Sequence, residues 1–260
     1  MKNGMVIDLD RCIGCQTCAV VCKMHNSLAP GVWWNRVFTQ GTDEHQTAVG
    51  ENDNLQMEFL PVSCQMCSDA ACEKVCPTQA SYYDQNGTVL VDYEKCIGCR
   101  YCMAACPYGV RQFNWRDPRE TKAEAAHETA VALDAGLATN EAELGGVDRW
   151  SFARTQVVEA ACLLGYPNPQ FEGAAHHLVY TQNRPRGVVE KCTFCAQYTQ
   201  NGELPACVRA CPAKARSFGD LSDPTSEVSR MLASCSTVRL REDYGTEPKV
   251  YYLPPSNRKA

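Results

Sequence analysis

The sequence has no apolar run long enough to cross a membrane and no excess of positive charge. No stretch approaches the roughly 20 apolar residues of a transmembrane helix, and one of the more apolar segments, Val157–Tyr166, contains Glu159. The formal net charge is −5, whereas binding to nucleic acid phosphates needs a basic face. We therefore expect neither a membrane-spanning protein nor a nucleic-acid-binding one.

Two further patterns are missing. Met1–Asp10 has no positively charged start followed by an apolar stretch, and no twin arginine, so we expect the chain to carry no export signal or membrane anchor of its own. The sequence also has no Cys-x3-Cys-x2-Cys run, which argues against a radical enzyme.

Cysteine, by contrast, is abundant, with 18 among 260 residues. Disulfide scaffolds of comparable density are short secreted chains, and this chain is long. Its cysteines are also clumped three or four positions apart, whereas disulfides would spread them to join distant loops. The clumping therefore favours metal binding.

Sixteen of the cysteines form four motifs. These are Cys12-x2-Cys15-x2-Cys18-x3-Cys22, Cys64-x2-Cys67-x4-Cys72-x3-Cys76-Pro77, Cys96-x2-Cys99-x2-Cys102-x3-Cys106-Pro107 and Cys192-x2-Cys195-x11-Cys207-x3-Cys211-Pro212. The short gaps let three thiolates surround one face of a cubane iron–sulfur cluster, while the fourth cysteine points away. Gly14 and Gly98 are expected to let the backbone approach the cluster and point amides at its sulfurs. Lys23 stands where the other motifs have proline.

Zinc is the competing metal for these motifs. Four-cysteine zinc sites usually have two Cys-x2-Cys pairs separated by a longer gap, whereas the first and third motifs crowd four cysteines into eleven residues. The crowding favours [4Fe–4S] clusters. The fourth motif is weaker evidence taken alone, and gains support from Cys211-Pro212 and from completing the set of four. Cys162 and Cys235 are expected to be inert thiols.

The spacing between motifs predicts which cysteines share a cluster. Only 19 residues separate Cys76 from Cys96, so the second and third motifs form a unit of bacterial-ferredoxin size, and the first and fourth pair by elimination. The last cysteine of each motif is expected to bind the neighbouring cluster. The predicted sets are Cys12, Cys15, Cys18 and Cys211; Cys192, Cys195, Cys207 and Cys22; Cys64, Cys67, Cys72 and Cys106; and Cys96, Cys99, Cys102 and Cys76.

The predicted fold class is α+β, with tandem bacterial-ferredoxin-like units, cluster-binding loops and a largely helical insert. Val6-Ile7, Val89–Val91 and Val188-Val189 predict strands before three motifs, and Gln85–Gly87 predicts a hairpin turn. The predicted organisation is a first unit from residues 1–62 and 188–225, a second unit from residues 63–117, a helical insert from residues 118–187 and a C-terminal extension from residues 226–260.

The insert and the tail allow more than one interpretation. Within the insert, Thr121–Leu137 and Arg149–Leu164 predict helices, which could form a docking surface or a surface elaboration, and His176-His177 is expected to be an ordinary polar pair. The tail, Pro248–Ala260, cannot be a regular helix. It could lie on a partner subunit or end as a partly ordered terminus.

The order and spacing of the motifs resemble those of the iron–sulfur subunit of the dimethyl sulfoxide reductase family of molybdopterin oxidoreductases. Local sequence is similar at Asp10–Cys15, Cys96–Cys102, Ala105–Gly109 and Lys191–Cys195. The resemblance covers about residues 4–117 and 188–220 and the Tyr251–Pro255 tail. Some members replace one cysteine of the third motif with tryptophan and hold a [3Fe–4S] cluster. Here all four are cysteine, so the resemblance implies four [4Fe–4S] clusters.

The resemblance also implies a subunit that carries electrons and performs no catalysis. Its partner would be a large molybdopterin subunit, containing molybdenum or tungsten, that acts on sulfoxides, sulfur oxyanions, arsenate or selenate; a membrane anchor subunit often exchanges electrons with quinol. Export with the catalytic subunit would place the chain on the extracytoplasmic face of the cell membrane, and otherwise it would be cytoplasmic. Alternatives are a free-standing polyferredoxin, an electron-transfer subunit of a hydrogenase or formate dehydrogenase, and a structural zinc protein.

Six basic residues lie within or beside the motifs. They are Arg11, Lys23, Lys95, Arg100, Lys191 and Arg209. Positive charges there could raise cluster potentials and offset the cluster charge. The alternative for each is an ordinary solvated surface position.

Overall fold

The computed structural model describes residues 2–29, 31–40, 57–115 and 184–255, which form short strands and short helices. The strands are β1 (Asn3–Asp8), β2 (Asn35–Gln40), β3 (Glu58–Ser63), β4 (Ser81–Tyr83), β5 (Val89–Val91), β6 (Gln112–Phe113), β7 (Val189–Glu190), β8 (Arg216–Asp220) and β9 (Val250–Leu253). The helices are α1 (Thr17–His25), α2 (Ala71–Lys74), α3 (Tyr101–Ala104), α4 (Ala196–Thr199), α5 (Ala206–Arg209) and α6 (Glu227–Ser234), with a 3-10 turn at Glu242–Tyr244. These elements agree with the predicted α+β class.

Proline sets the length of three of the helices that carry cysteine. α2, α3 and α5 each have four residues and end just before a Cys-Pro pair, because the residue before proline is disfavoured in the α conformation. In the first motif Lys23 replaces the proline, and α1 continues to His25 over nine residues. This single departure from the motif therefore explains the longest of the described helices.

A three-stranded sheet joins the two ends of the chain. β1 lies in the middle, antiparallel to β8 with Val6 opposite Ser217, and parallel to β9 with Ile7 opposite Tyr252. Met5, Val6 and Ile7 are all buried, so both faces of β1 are covered. The sheet thus brings the segment before the first motif against the segment after the fourth.

Two smaller pairings surround the second and third motifs. β4 and β5 form a hairpin closed by Asp84, whose carboxylate accepts the backbone amides of Asn86 and Thr88 at 2.9 and 2.7 Å. Gly87 has a φ of 66° in this turn, which confirms the predicted hairpin. β6 pairs antiparallel with β7 and so joins the third motif to the fourth. β2 and β3 form a separate antiparallel ladder.

The tail contributes a strand that the sequence does not predict. Residues Val250–Leu253 form β9, a strand of the protein's own sheet, in which Val250 and Tyr252 are fully buried. The alternation of residues along a strand places these two side chains on one face, where they pack into the core. The Tyr252 hydroxyl donates a hydrogen bond to the carbonyl of Pro61 at 3.0 Å.

The core contains the cysteines themselves. Buried or partly buried cysteines of all four motifs lie in or beside the core with Trp34, Phe194, Met66 and Tyr252. The insert helices predicted over Thr121–Leu137 and Arg149–Leu164, together with Cys162 and His176-His177, fall outside the described residues. Within the described residues, no helix has the length and apolar character needed to span a membrane.

Candidate iron–sulfur sites

Four cavities each lie against four cysteines, and we number them by the motif that supplies three of the four. Site 1 is lined by Cys12, Cys15, Cys18 and Cys211, and site 2 by Cys64, Cys67, Cys72 and Cys106. Site 3 is lined by Cys76, Cys96, Cys99 and Cys102, and site 4 by Cys22, Cys192, Cys195 and Cys207. In each site the fourth cysteine comes from a different motif.

The structure therefore brings together the same sets of cysteines that the motif spacing predicts. Their ligation of iron stays a prediction. Cys235 is exposed, beside Ser234, and lines none of the four sites.

The loops of sites 1 and 3 share one backbone conformation. Gly14 and Gly98 have φ of 68° and 67°, and the residues that precede α1 and α3, Gln16 and Arg100, have φ of 60° and 63°. Glycine adopts this left-handed region without a steric cost. The two loops thus repeat the same left-handed positions relative to their cysteines.

Other parts of the protein also pack closely against these two glycines. A β-carbon on Gly98 would lie 1.9 Å from the carbonyl oxygen of Gly187, and one on Gly14 would lie 2.4 Å from the Phe59 ring. The amide of Gly14 hydrogen-bonds to the thiol of Cys12 and so lowers the pKa of that thiol, although burial raises it more. Glycine at these two positions therefore also permits packing against Gly187 and Phe59, and the prediction that it lets the backbone approach a cluster stays a prediction.

The four sites differ in their exposure to solvent. Cys15 of site 1 and Cys99 of site 3 are exposed, whereas Cys192, Cys195 and Cys207 of site 4 are buried. Burial is the main reason that the pKa of Cys195 rises to about 12 and that of Cys67 of site 2 to about 11. The free thiols of Cys195 and Cys67 are thus protonated at neutral pH, and metal binding would release their protons.

The donors around each site suit an iron–sulfur cluster. Four thiols supply the ligands that [4Fe–4S] clusters use, and backbone amides point at sulfur atoms. Phe194 N–H donates to Cys192 Sγ at 3.4 Å, Ala215 N–H to Cys211 Sγ at 3.3 Å and Val189 N–H to Cys96 Sγ at 3.5 Å. Hydrogen bonds to the sulfurs are among the factors that set cluster potentials.

A single zinc ion suits the sites less well. Zinc holds its cysteine sulfurs at about 2.3 Å, so that the four converge on one point. In the part of the chain that the structure describes, no group of three or more His, Cys, Asp or Glu side chains has an arrangement suited to holding a metal ion. The cysteines instead surround cavities, as ligands of a multi-atom cluster would.

Two buried arginines beside the cysteines are not among the residues predicted from the sequence. Arg111 and Arg216 are 2% and 4% exposed, and each follows the last cysteine of its motif by five residues, after Cys106 and Cys211. Their repeated position is the signal that could have identified them. Arg111 lines both site 2 and site 3.

The six basic residues named from the sequence lie in different environments. Arg11, Lys95, Arg100 and Arg209 are exposed, and Lys23 is half-buried. Arg11 and Lys95 form surface ion pairs with Asp8 and Asp92 at 3.4 Å. Lys191 alone is fully buried, at 1% exposure, which overturns the solvated alternative for that residue.

Contacts between sites establish their order in space. Arg111 lies between sites 3 and 2. Lys191 Nζ donates both to the carbonyl of Val89, which lines site 2, and to the carbonyl of Cys192 of site 4. Arg216 lines site 1 and contacts Cys207 of site 4 at 3.8 Å. The four sites therefore form a row in the order 3, 2, 4, 1.

Comparison with protein families identifies the cysteine-rich segments. Residues 55–137 and 170–221 match a family model described as a 4Fe-4S dicluster domain, and residues 3–24 match a 4Fe-4S binding domain. The folded segments are thus tandem 4Fe–4S ferredoxin-like domains.

Several curated proteins are similar over nearly the whole chain. A protein of Halobacterium salinarum, named as the iron–sulfur subunit of a dimethyl sulfoxide reductase, is 39% identical over 96% of this chain and 78% of its own length. The arsenate respiratory reductase iron–sulfur subunit of Shewanella sp. strain ANA-3 is 35% identical over 97% of this chain and 96% of its own length. A selenate reductase subunit of Mesobacillus selenatarsenatis is 35% identical over 96% of this chain and 70% of its own length.

Proposed function

The chain belongs to the family of iron–sulfur subunits of dimethyl sulfoxide, arsenate and selenate reductases, and from this membership we propose that it carries electrons through four [4Fe–4S] clusters at sites 1 to 4. The relatives are named as iron–sulfur subunits of reductases, which are electron-transfer components and not catalytic subunits. The proposal extends this shared role to a count of four clusters and to a particular path.

One observation carries the proposal: four pockets are each lined by four cysteines, three from one motif and the last cysteine of another. When bound, a [4Fe–4S] cluster takes up and releases one electron at a time. The crossed cysteines would hold neighbouring clusters close together. The buried thiols of site 4 and the apolar core around them exclude water from the inner part of the row.

The two ends of the row are the proposed points of electron entry and exit. At site 3, Cys99 is exposed and the neighbouring Ile97 is 67% exposed; at site 1, Cys15 is exposed and Ile13 is 62% exposed. An exposed apolar side chain beside an exposed ligand suits contact with another protein. We assign one end to a large molybdopterin subunit containing molybdenum or tungsten, and the other to a membrane anchor subunit or a soluble redox partner.

The proposal also predicts where the protein lies in the cell. If the chain is exported in complex with its catalytic subunit, the assembly lies on the extracytoplasmic face of the cell membrane. Fractionation of cells that produce both subunits tests this, because export of the pair predicts that external protease reaches the chain in spheroplasts. A chain protected from protease until the cells are lysed would place the complex in the cytoplasm.

The first experiment is a metal analysis of the protein purified gently with whatever remains bound. About sixteen iron atoms from this chain, four for each of four clusters, together with stoichiometric molybdenum or tungsten from a partner, is the expected result. Iron without either metal would favour a polyferredoxin or a hydrogenase partner. Zinc in place of iron would overturn the proposal.

Two serine variants test the crossed arrangement. Cys106→Ser should perturb the cluster of site 2, and Cys76→Ser that of site 3, as followed by electron paramagnetic resonance (EPR) of the reduced protein. Cys235→Ser, which lies outside all four sites, is the matched control and should leave every signal unchanged. A Cys106→Ser variant that altered site 3 and spared site 2 would show that the cysteines do not cross.

A further inference from the structure

A buried side-chain cation lies at each junction between neighbouring sites. Arg111 lies between sites 3 and 2, Lys191 between sites 2 and 4, and Arg216 between sites 4 and 1; they are 2%, 1% and 4% exposed. Among the described residues, none of the three forms an ion pair with a carboxylate. A buried charge without a counter-charge is costly, so the arrangement calls for anions at the sites themselves.

Arg111 contacts both of its sites. Its Nη2 donates to Cys72 Sγ of site 2 at 3.1 Å, and the side chain also lines the site 3 cavity. Its Nε and Nη1 are buried without a hydrogen-bond partner among the described residues.

Arg216 occupies the equivalent position in the other half of the row. Its Nη2 donates to Cys18 Sγ of site 1 at 3.5 Å, and its Nη1 to Cys207 Sγ of site 4 at 3.8 Å. Nη2 also donates to Asn35 Oδ1 at 3.1 Å, which is a neutral partner. The charge of Arg216 is thus shared between two cysteine sets and is not neutralised by a carboxylate.

Lys191 lies between the two halves of the row, at the junction of sites 2 and 4. Its Nζ donates to the carbonyl of Val89, a residue that lines site 2, and to the carbonyl of Cys192, a ligand candidate of site 4, the latter at 2.9 Å. A third neighbour, the sulfur of Met66, lies at 3.6 Å. All three partners are neutral, so the ammonium charge remains available to both sites.

We propose that Arg111, Lys191 and Arg216 are tuning residues, each of which raises the reduction potentials of the two clusters that flank it. The inference rests on the proposed function, since it requires clusters at the four sites. Reduction adds one electron and one negative charge to a cluster, and a cation held nearby in a medium of low dielectric constant stabilises the reduced form. Because each cation sits at a junction, its effect falls on two neighbours.

The positions of the three residues predict which clusters change in reduction potential, as well as the direction of the change. The clusters at sites 3 and 1, at the ends of the row, each respond to one cation, Arg111 or Arg216. The clusters at sites 2 and 4 each respond to two, because Lys191 acts on both. No other assignment of the three residues gives this overlap, so the pattern itself checks the order of the sites.

The test is an EPR-monitored redox titration of the cluster-loaded protein, purified with its bound partners, as wild type and as Arg111→Gln, Lys191→Gln and Arg216→Gln. Arg111→Gln should shift the reduction equilibria of sites 2 and 3 at least tenfold toward the oxidised form, a fall of about 59 mV for one electron. Lys191→Gln should do the same at sites 2 and 4, and Arg216→Gln at sites 1 and 4.

Two kinds of control variant distinguish an effect of side-chain charge on the potentials from an effect of side-chain shape. Arg111→Lys and Arg216→Lys keep the charge and should restore most of each potential. Lys95→Gln removes an exposed charge beside site 3, where the Lys95 side chain is 64% exposed, and should leave all potentials within error of the wild type. The inference would be overturned if the three glutamine variants had the potentials of the wild type. It would also be overturned if Arg111→Lys and Arg216→Lys shifted the potentials as much as the glutamine variants do.

Loss of iron from a glutamine variant also tests the inference. If Arg111→Gln loses the iron of sites 2 and 3 while Arg111→Lys retains it, the buried charge is needed to hold those clusters, as inferred. If both variants lose it, the residue acts through its shape and the inference fails. A wild-type protein without four clusters would contradict the proposed function instead, so the two failures are distinguishable.

Discussion

Gly98 and Gly109 have similar backbones and different neighbours. Their φ values are 67° and 60°, but a β-carbon on Gly98 would collide with the carbonyl of Gly187, whereas nothing lies within 4 Å of one on Gly109. The left-handed conformation alone costs an alanine about 1–2 kcal/mol. Only Gly98→Ala must also move the backbone that carries Gly187.

We therefore expect Gly98→Ala to lower the midpoint of thermal unfolding of the cluster-loaded protein by more than about 10 °C, against about 2–6 °C for Gly109→Ala. Gly98→Ala should also lose iron selectively from site 3, whose loop contains this glycine. Equal shifts for the two variants would show that Gly187 moves aside at little cost.

Sequence position alone did not identify the basic residues that lie closest to the cysteines. Arg11 and Lys95 are adjacent to motif cysteines in sequence, yet both are exposed and form surface ion pairs. Arg111 and Arg216 are farther from the cysteines in sequence and nevertheless contact cysteine sulfur. Distance along the chain therefore does not measure the electrostatic influence of a residue on a site.

Among the strands, β9 shows how much stability a short terminal element can contribute. Tyr252 is fully buried, donates to the Pro61 carbonyl at 3.0 Å and accepts from Gln65 Nε2 at 3.2 Å. Tyr251, the preceding residue, faces the other side of the strand and is half-buried. The two tyrosines differ in environment while sharing the same strand.

Tyr252→Ala should destabilise the protein by about 3–5 kcal/mol, because it leaves a cavity and two unpaired polar groups in the core. Tyr251→Ala is the matched control and should cost about 1 kcal/mol or less. Thermal unfolding of the loaded protein measures both. A similar loss for the two variants would mean that β9 contributes through its backbone pairing alone.

Elements formed by neighbouring residues were predicted well, and elements formed by distant residues were not. The β4–β5 hairpin follows from a local turn, in which Asp84 and Gly87 satisfy and shape the backbone. β9 pairs with β1 across almost the whole chain, and its short alternating run Val250–Leu253 contains no local signal for its partner. Pairing over such a separation is decided by packing.

At the scale of the whole molecule, exposure is graded along the row of sites. Cys15 of site 1 and Cys99 of site 3 are exposed at the two ends, while Cys192, Cys195 and Cys207 of site 4 are buried in the interior. Attack by a chelator requires access to the cluster and release of its ligands. Access is therefore greatest at the ends.

We expect a chelator to remove iron from sites 1 and 3 before site 4. A time course with EPR detection of each cluster measures the order, and the end sites should lose iron at least tenfold faster. Acidification should accelerate the loss, because a released thiol such as Cys195, with a pKa of about 12, takes up a proton at neutral pH. First loss from site 4 would indicate that the row is opened from its middle.

The sequence by itself determined the chemistry of this protein, because ligand type and ligand spacing are local properties of a chain. Four cysteine motifs, the proline that ends three helices and the resemblance to iron–sulfur subunits all follow from residues close together. The tertiary structure alone decided the order of the sites, the burial of Arg111, Lys191 and Arg216, and the pairing of β9. These depend on contacts between segments far apart in the chain, which form only when the apolar core closes and the free energy of burial selects one arrangement.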